Sequence, residues 1–115
     1  MSNLANSIVL GDKPRITINV APIGGIYNLS ELDWTVEFYA TQGSVTMSKK
    51  DATPISEDEY SMRVDTSTLG TGKLLGILYP QVPDRQSPDG YYVPPVPFDT
   101  GQVIISPYSL GYDEL

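Results

Sequence analysis

Glu57-Asp58-Glu59 and the pair Asp84 and Asp89 are the densest groupings of chemically capable side chains in this chain. Two carboxylates set apart across a cleft can share acid and base roles, and alternating oxygen ligands in a loop can hold calcium. Three adjacent charges instead read as a solvated loop, because such runs face water. Between Asp84 and Asp89 the chain has Arg85 and Pro88. That interrupts the ligand alternation a calcium loop needs, so Asp84-Arg85 and Asp89-Gly90 read as turns. The sequence has no His and no Cys. The residues of the common triads, of thiol nucleophiles and of zinc sites are therefore missing. Serine and threonine have no evident base, and Gly24-Gly25 lacks the spacing and the lysine of a phosphate loop. The expectation is a non-enzyme with no catalytic, metal-binding or cofactor-binding residues.

The remaining chemistry is that of recognition. Eight tyrosines in 115 residues is a rich supply. Tyr91 and Tyr92 lie in a proline-rich stretch, and Tyr108, Leu110 and Tyr112 lie in the last ten residues. Tyrosine gives large contact area at low entropic cost. Arg85 adds a planar donor suited to a carboxylate. These six residues are the candidate partner contacts. Tyr91 and Tyr92 have a second reading, packing on a sheet edge, and Tyr108 to Tyr112 a second reading as a disordered tail.

Strands must position them. Trp34, Val36, Phe38 and Ala40 alternate with Thr35, Glu37 and Tyr39, so a strand puts the first set on one face. Trp and Phe bury the most apolar area, so this face is the expected middle of the core, with a partner needed for the indole N–H. Arg15 to Val20 alternates as well, placing Ile16 and Ile18 inward. Ile8-Val9-Leu10 is a first edge strand, and Tyr27 to Leu32 a loop or single helical turn with Leu29 and Leu32 tucked in. Ser44 to Ser48 is a weaker strand, joined to the central one by a hairpin at Gln42-Gly43. Lys49 to Asp58 is a connecting loop anchored by Ile55. Glu59 to Val64 is a strand with Tyr60 inward. Leu69 plugs a corner that Gly70 and Gly72 turn. Lys73 to Tyr79 reads as a strand buried on most of both faces, with Tyr79 in or near the core. Pro80 to Gly90 is a long loop and Tyr91 to Phe98 an irregular edge or a polyproline-type segment. Val103 to Ile105 is the last strand. Short strands near ten-residue spacing indicate a sandwich or small barrel.

Composition bounds the rest. One domain is expected. Ten prolines argue against long helices. A net charge of −7 argues against nucleic acid, whose phosphates would repel it. No apolar run reaches membrane-spanning length, and no signal peptide is visible, so synthesis in the cytoplasm is expected. The division expected is an N-terminal arm over residues 1–7, a β-sandwich over 8–105 and a tail over 106–115.

The run Asp33-Trp34-Thr35-Val36-Glu37-Phe38-Tyr39 resembles a recurrent strand of small structural proteins of crAss-like and related tailed bacteriophages. So do Val64-Asp65-Thr66 through Leu69-Gly70-Thr71-Gly72-Lys73-Leu74, Val82-Pro83-Asp84 with Pro88-Asp89-Gly90-Tyr91, and Asp99-Thr100-Gly101. The likeness spans roughly residues 8 to 105 and rests on strand and turn patterns. It implies an all-β, immunoglobulin-like antiparallel β-sandwich of about seven short strands. It also implies an auxiliary (decoration or cement) protein on the virion surface, bound to the major capsid protein and other virion proteins. The alternatives are a head-fibre or tail-fibre adaptor, with a head-fibre protein as partner, and a small carbohydrate-binding or adhesion module. The Leu69 to Leu74 corner resembles the one between strands E and F of that fold, with Leu74 where a tyrosine often stands.

Overall fold

A computed structural model describes residues 7–107. Twelve strand segments follow in order: β1 (Ser7–Val9), β2 (Arg15–Asn19), β3 (Trp34–Tyr39), β4 (Ser44–Ser48), β5 (Thr53–Ser56), β6 (Glu59–Arg63), β7 (Gly72–Lys73), β8 (Leu75–Pro80), β9 (Val82–Pro83), β10 (Tyr91–Tyr92), β11 (Val96–Phe98) and β12 (Ile104–Ser106). Single 3₁₀ turns cover Leu29–Glu31 and Lys49–Asp51. One sheet runs β11-β8-β3-β4 and another β2-β6-β5. These are the orders G-F-C-C′ and B-E-D of an immunoglobulin-like sandwich, which is the fold of this chain.

Alternation drives the packing. Trp34, Val36 and Phe38 from β3 and Leu78 from β8 meet Ile16 and Ile18 from β2 and Tyr60 and Met62 from β6, all buried. Leu29, Leu32 and Leu69 close the ends of this core, as expected from the sequence. The indole Nε1 of Trp34 donates to the Leu29 carbonyl at 3.2 Å, which satisfies its buried donor. The 3₁₀ turn at Leu29 therefore both caps the core and supplies that acceptor.

Strands F and G are each broken once, side by side. Leu74 interrupts β7 and β8, and Asp99 to Val103 interrupt β11 and β12. The break is stitched by Leu74 N–H donating to the Val103 carbonyl and the buried Thr100 hydroxyl donating to the Leu74 carbonyl, at 2.9 and 2.8 Å. Below it β12 lies between β7 and β1, antiparallel to the first and parallel to the second. Counting β7 with β8 and β11 with β12, eight strands make the sandwich, and β9 and β10 form a separate ribbon in the F–G connection.

The structure corrects several expectations. Lys49 to Asp58 holds a strand, β5, paired with β6 through a bulge between Pro54 and Ser56. All four residues of β5 are exposed, so the strand leaves no hydrophobic alternation to read. Ile55 anchors nothing, at 55% exposure. The stretch after Lys73 is not buried on both faces: Gly76, Leu78 and Pro80 point in, while Leu75 is exposed and Ile77 and Tyr79 are half-buried. Tyr79 lies on the outer face, its phenol donating to Glu37 Oε1 at 3.3 Å. Pro80 to Gly90, expected as loop, carries β9, whereas Tyr91 to Phe98 runs at an edge as expected, as β10 and the edge strand β11. Ser7 pairs with Ile104 and Ser106 with Val9, each lying one residue beyond the expected domain limits. The rest of the expected arms, residues 1–6 and 108–115, lies outside the described residues.

Candidate functional site

The end of the sandwich where β2, β4 and β8 finish gathers the B–C connection, the turns at Lys49–Asp51 and Glu57-Asp58, and the F–G ribbon. Polar bonds hold the first three together. Lys49 Nζ donates to the carbonyls of Ser30 and Leu32 at 3.0 and 2.7 Å. Glu57 Oε1 accepts from the Asn28 side-chain amide at 2.6 Å, and Asp58 Oδ1 from the Leu29 N–H at 3.3 Å. The acidic run is thus used to anchor the B–C connection. Glu31 completes it by accepting from the Asn28 N–H at 2.9 Å.

The ribbon is built for rigidity. Tyr91 pairs with Pro83 and Tyr92 with Val82. Asp84 Oδ1 accepts from the Gln86 N–H at 3.0 Å and Oδ2 from the Ser87 hydroxyl at 2.9 Å. Asp84 N–H donates to the Gly90 carbonyl, and Gly90, at φ +89°, donates back to the Ser87 carbonyl. A left-handed φ is cheap only for glycine, so Gly90 closes this turn without strain. At the base Gln81 N–H donates to the Asp33 carbonyl at 2.9 Å, fixing the ribbon to the start of β3. Six prolines between Pro80 and Pro97 restrict the chain further.

A groove of about 500 Å³ separates the ribbon from the B–C connection, lined by Val20, Pro22, Ile23, Tyr92, Pro94 and Phe98 among others. Tyr92 is 48% exposed, and Ile26 and Val93, in the same two connections but outside the groove lining, are 72% and 45% exposed. Tyr91 is half-buried. Arg85 is exposed and has no hydrogen-bond or ion-pair partner among the described residues. Tyr92 thus lines the groove, Tyr91 stands beside it in the ribbon, and Arg85 sits in the turn next to the Asp84 anchor. Tyr108, Leu110 and Tyr112 lie outside the described residues. Ile26 and Val93 are additions. Ile26 is signalled by an apolar residue directly after Gly24-Gly25, both of positive φ, and Val93 by its place between Tyr92 and Pro94.

Among the described residues no three His, Cys, Asp or Glu side chains gather as a metal site, and no helix is long and apolar enough to cross a membrane. No family model, no curated protein and no solved structure matches this chain.

Proposed function

We propose that this protein is a non-enzymatic virion component of a tailed bacteriophage, an auxiliary protein that decorates the capsid by docking on the major capsid protein. One observation carries the docking part of this reading: a rigid, proline-braced ribbon holds Tyr92 and Val93 in the open beside an apolar groove. Such a surface binds without a large ordering cost, because its conformation is fixed beforehand. Its tyrosines combine apolar rings with polar tips, the composition of binding hot spots. The virion assignment rests on the strand and turn patterns that resemble small phage structural proteins.

The test is the replacement of Tyr91 and Tyr92 together by serine in the full-length protein. The expected result is a folded variant whose binding to purified capsids falls tenfold or more, equivalent to about 1.4 kcal/mol. Unchanged binding by the folded variant would remove this surface from the interface. Failure of the parent protein to bind capsids would remove the virion assignment.

A further inference from the structure

Among the described residues strand β2 has a partner on one side only. Its neighbour is β6, and no other described strand bonds to it. The register shows which of its groups are left over. Val64 N–H donates to the Pro14 carbonyl and Val20 N–H to the Asp58 carbonyl, in line with the pairs Ile16–Met62 and Ile18–Tyr60. Bonded pairs alternate along an antiparallel ladder. The backbone groups of Ile16 and Ile18 therefore face β6, and those of Arg15, Thr17 and Asn19 point away from the sheet.

That free edge opens on a trough of about 610 Å³. One wall is Arg15, Ile16, Thr17 and Asn19, the other is Asp99 to Gly101 with Val103 at the break of strand G, and Ser7 and Ile8 of β1 line it as well. In an immunoglobulin-type sandwich this flank is where strand A lies beside strand B. Here β1 pairs with β12 instead. An unpaired edge of five residues offers a ladder to any extended chain of similar length, about 17 Å.

Basic side chains gather at the Arg15 end of this edge, although the molecule as a whole is acidic. The chain carries −7, yet Lys13, Arg15 and Arg63, three of its seven basic residues, lie together here. Arg15 and Arg63 are direct cross-strand partners. Theirs is a non-hydrogen-bonded pair, the kind with the closest side chains, and like charges so placed repel. Arg15 Nη1 donates to Ser61 Oγ at 3.1 Å and Arg63 Nη1 to the Lys13 carbonyl at 2.9 Å. Two acids stand among these bases: Asp12 Oδ2 accepts from the Val9 N–H and Asp65 Oδ1 from the Ser67 N–H, and Lys13 helps to hold the Asp65 carboxyl low. Glu59 stands at the far end, opposite Asn19. Asp99, on the opposite wall, accepts from the Gly101 N–H.

We infer that the free edge of β2 accepts an extended acidic segment of another protein as an added antiparallel strand. Its backbone completes the ladder at Thr17. Its outward carboxylates, in the half nearest Arg15, relieve the Arg15–Arg63 repulsion. Its inward side chains are small and apolar, facing Ile16 and Val103, and uncharged on the side of Asp99. This inference concerns a flank below the loop-end groove and stands without the virion reading.

The probe is a capped eight-residue peptide, alternating threonine with valine in its first half and glutamate with valine in its second. It is titrated into the isotopically labelled full-length protein. The expected result is a shift of the Thr17 and Asn19 amide signals and slowed exchange at Thr17. The double variant Arg15→Gln with Arg63→Gln should bind the peptide at least tenfold more weakly while keeping the Trp34 indole signal in place. A peptide with lysine for glutamate, and one N-methylated on its ladder face, should not bind. A Thr17 amide already protected in the free protein would overturn the inference, because the chain itself then fills the edge. Equal binding of the lysine or the N-methylated peptide would overturn it as well.

Discussion

The rings of Trp34 and Tyr60 meet edge to face across the two sheets, with centroids 5.2 Å apart and planes at 84°. The pair joins the strand richest in apolar area to the opposite sheet, and an edge-to-face contact adds to what burial alone supplies. Trp34→Ala is expected to cost about 3–5 kcal/mol, since it empties a large buried volume and strips Leu29 of its indole donor. Trp34→Phe should cost less and leave the Leu29 carbonyl with the Leu32 N–H as its donor. Denaturant unfolding followed by circular dichroism measures both. A Trp34→Ala protein as stable as the parent would show that the two sheets do not depend on this contact.

Gly76 lies between two phenylalanines, as the register partner of both Phe38 and Phe98. The two rings stand edge to face, 5.9 Å apart. A Cβ at position 76 would come 2.5 Å from Phe98 Cζ. Gly76→Ala should therefore destabilise by about 1–3 kcal/mol, as overpacking does. In a Phe98→Ala background the same change should cost much less. A double-mutant cycle with no coupling would contradict the stacking of Phe98 over this glycine.

How far such relations are legible in sequence depends on burial and register. The Trp34 strand was legible because one face is wholly buried, so its apolar residues alternate without a gap. The strand Thr53–Ser56 was not, because all four of its residues are exposed and its pairing is made by backbone alone. The Leu74 break was hidden inside an apolar run, where Gly76 reads as a weak strand residue rather than as the floor under Phe98. At the loop end, Tyr91, Tyr92 and Arg85 were conspicuous by type. Ile26 and Val93 became relevant only when the fold brought the B–C connection and the ribbon to one groove. The facing of Arg15 and Arg63 follows from register, which no residue type announces.

Thr66 ties the first turn to the corner after β6. It is fully buried, its hydroxyl donates to the Asp12 carbonyl at 2.8 Å, and it accepts from the Gly11 N–H at 3.0 Å. Thr66→Val keeps the shape and removes both bonds, leaving the Gly11 N–H unmet while the Asp12 carbonyl keeps the Thr66 N–H at 3.2 Å. The expected loss is about 1–3 kcal/mol. Thr66→Ser should retain most of the parent stability. A valine variant of unchanged midpoint in urea would show that water replaces the hydroxyl.

Stability should decline at both extremes of pH. The Ser48 backbone N–H and hydroxyl hold Asp51 below its usual 3.8, and those of Ser67 hold Asp65 below it. A depressed folded-state pKa contributes stability that is present above the unfolded value and lost as pH falls through the folded one. Tyr79 is raised above 10.0 by desolvation first and by Glu37 second. Its contribution is complete below pH 10.0 and is lost as pH rises through the raised value. The expected profile is a plateau with an acid limb below pH 3.8. Asp51→Asn with Asp65→Asn should flatten that limb, and Glu37→Gln should lower the Tyr79 titration. A parent and double variant with superimposable acid limbs would assign the decline to other carboxylates.

The Asp84 carboxylate holds the F–G ribbon by its bonds to Gln86 and Ser87, well outside the core. Asp84→Ala removes both while leaving the prolines and the Tyr91–Pro83 pairing in place. Because these bonds are local and largely exposed, the global midpoint should shift by less than about 1 kcal/mol. Amide exchange should accelerate between Gln86 and Gly90 and remain unchanged in β3 and β8. If the ribbon docks preorganised, loosening it adds an ordering cost to binding, so affinity falls although no contact residue is altered. Asp84→Asn retains an acceptor for the Gln86 N–H and should recover part of that loss. Faster exchange in the ribbon with unchanged capsid binding would mean that the surface adapts on contact instead, and the groove beside Tyr92 would then hold the affinity without help from the turn.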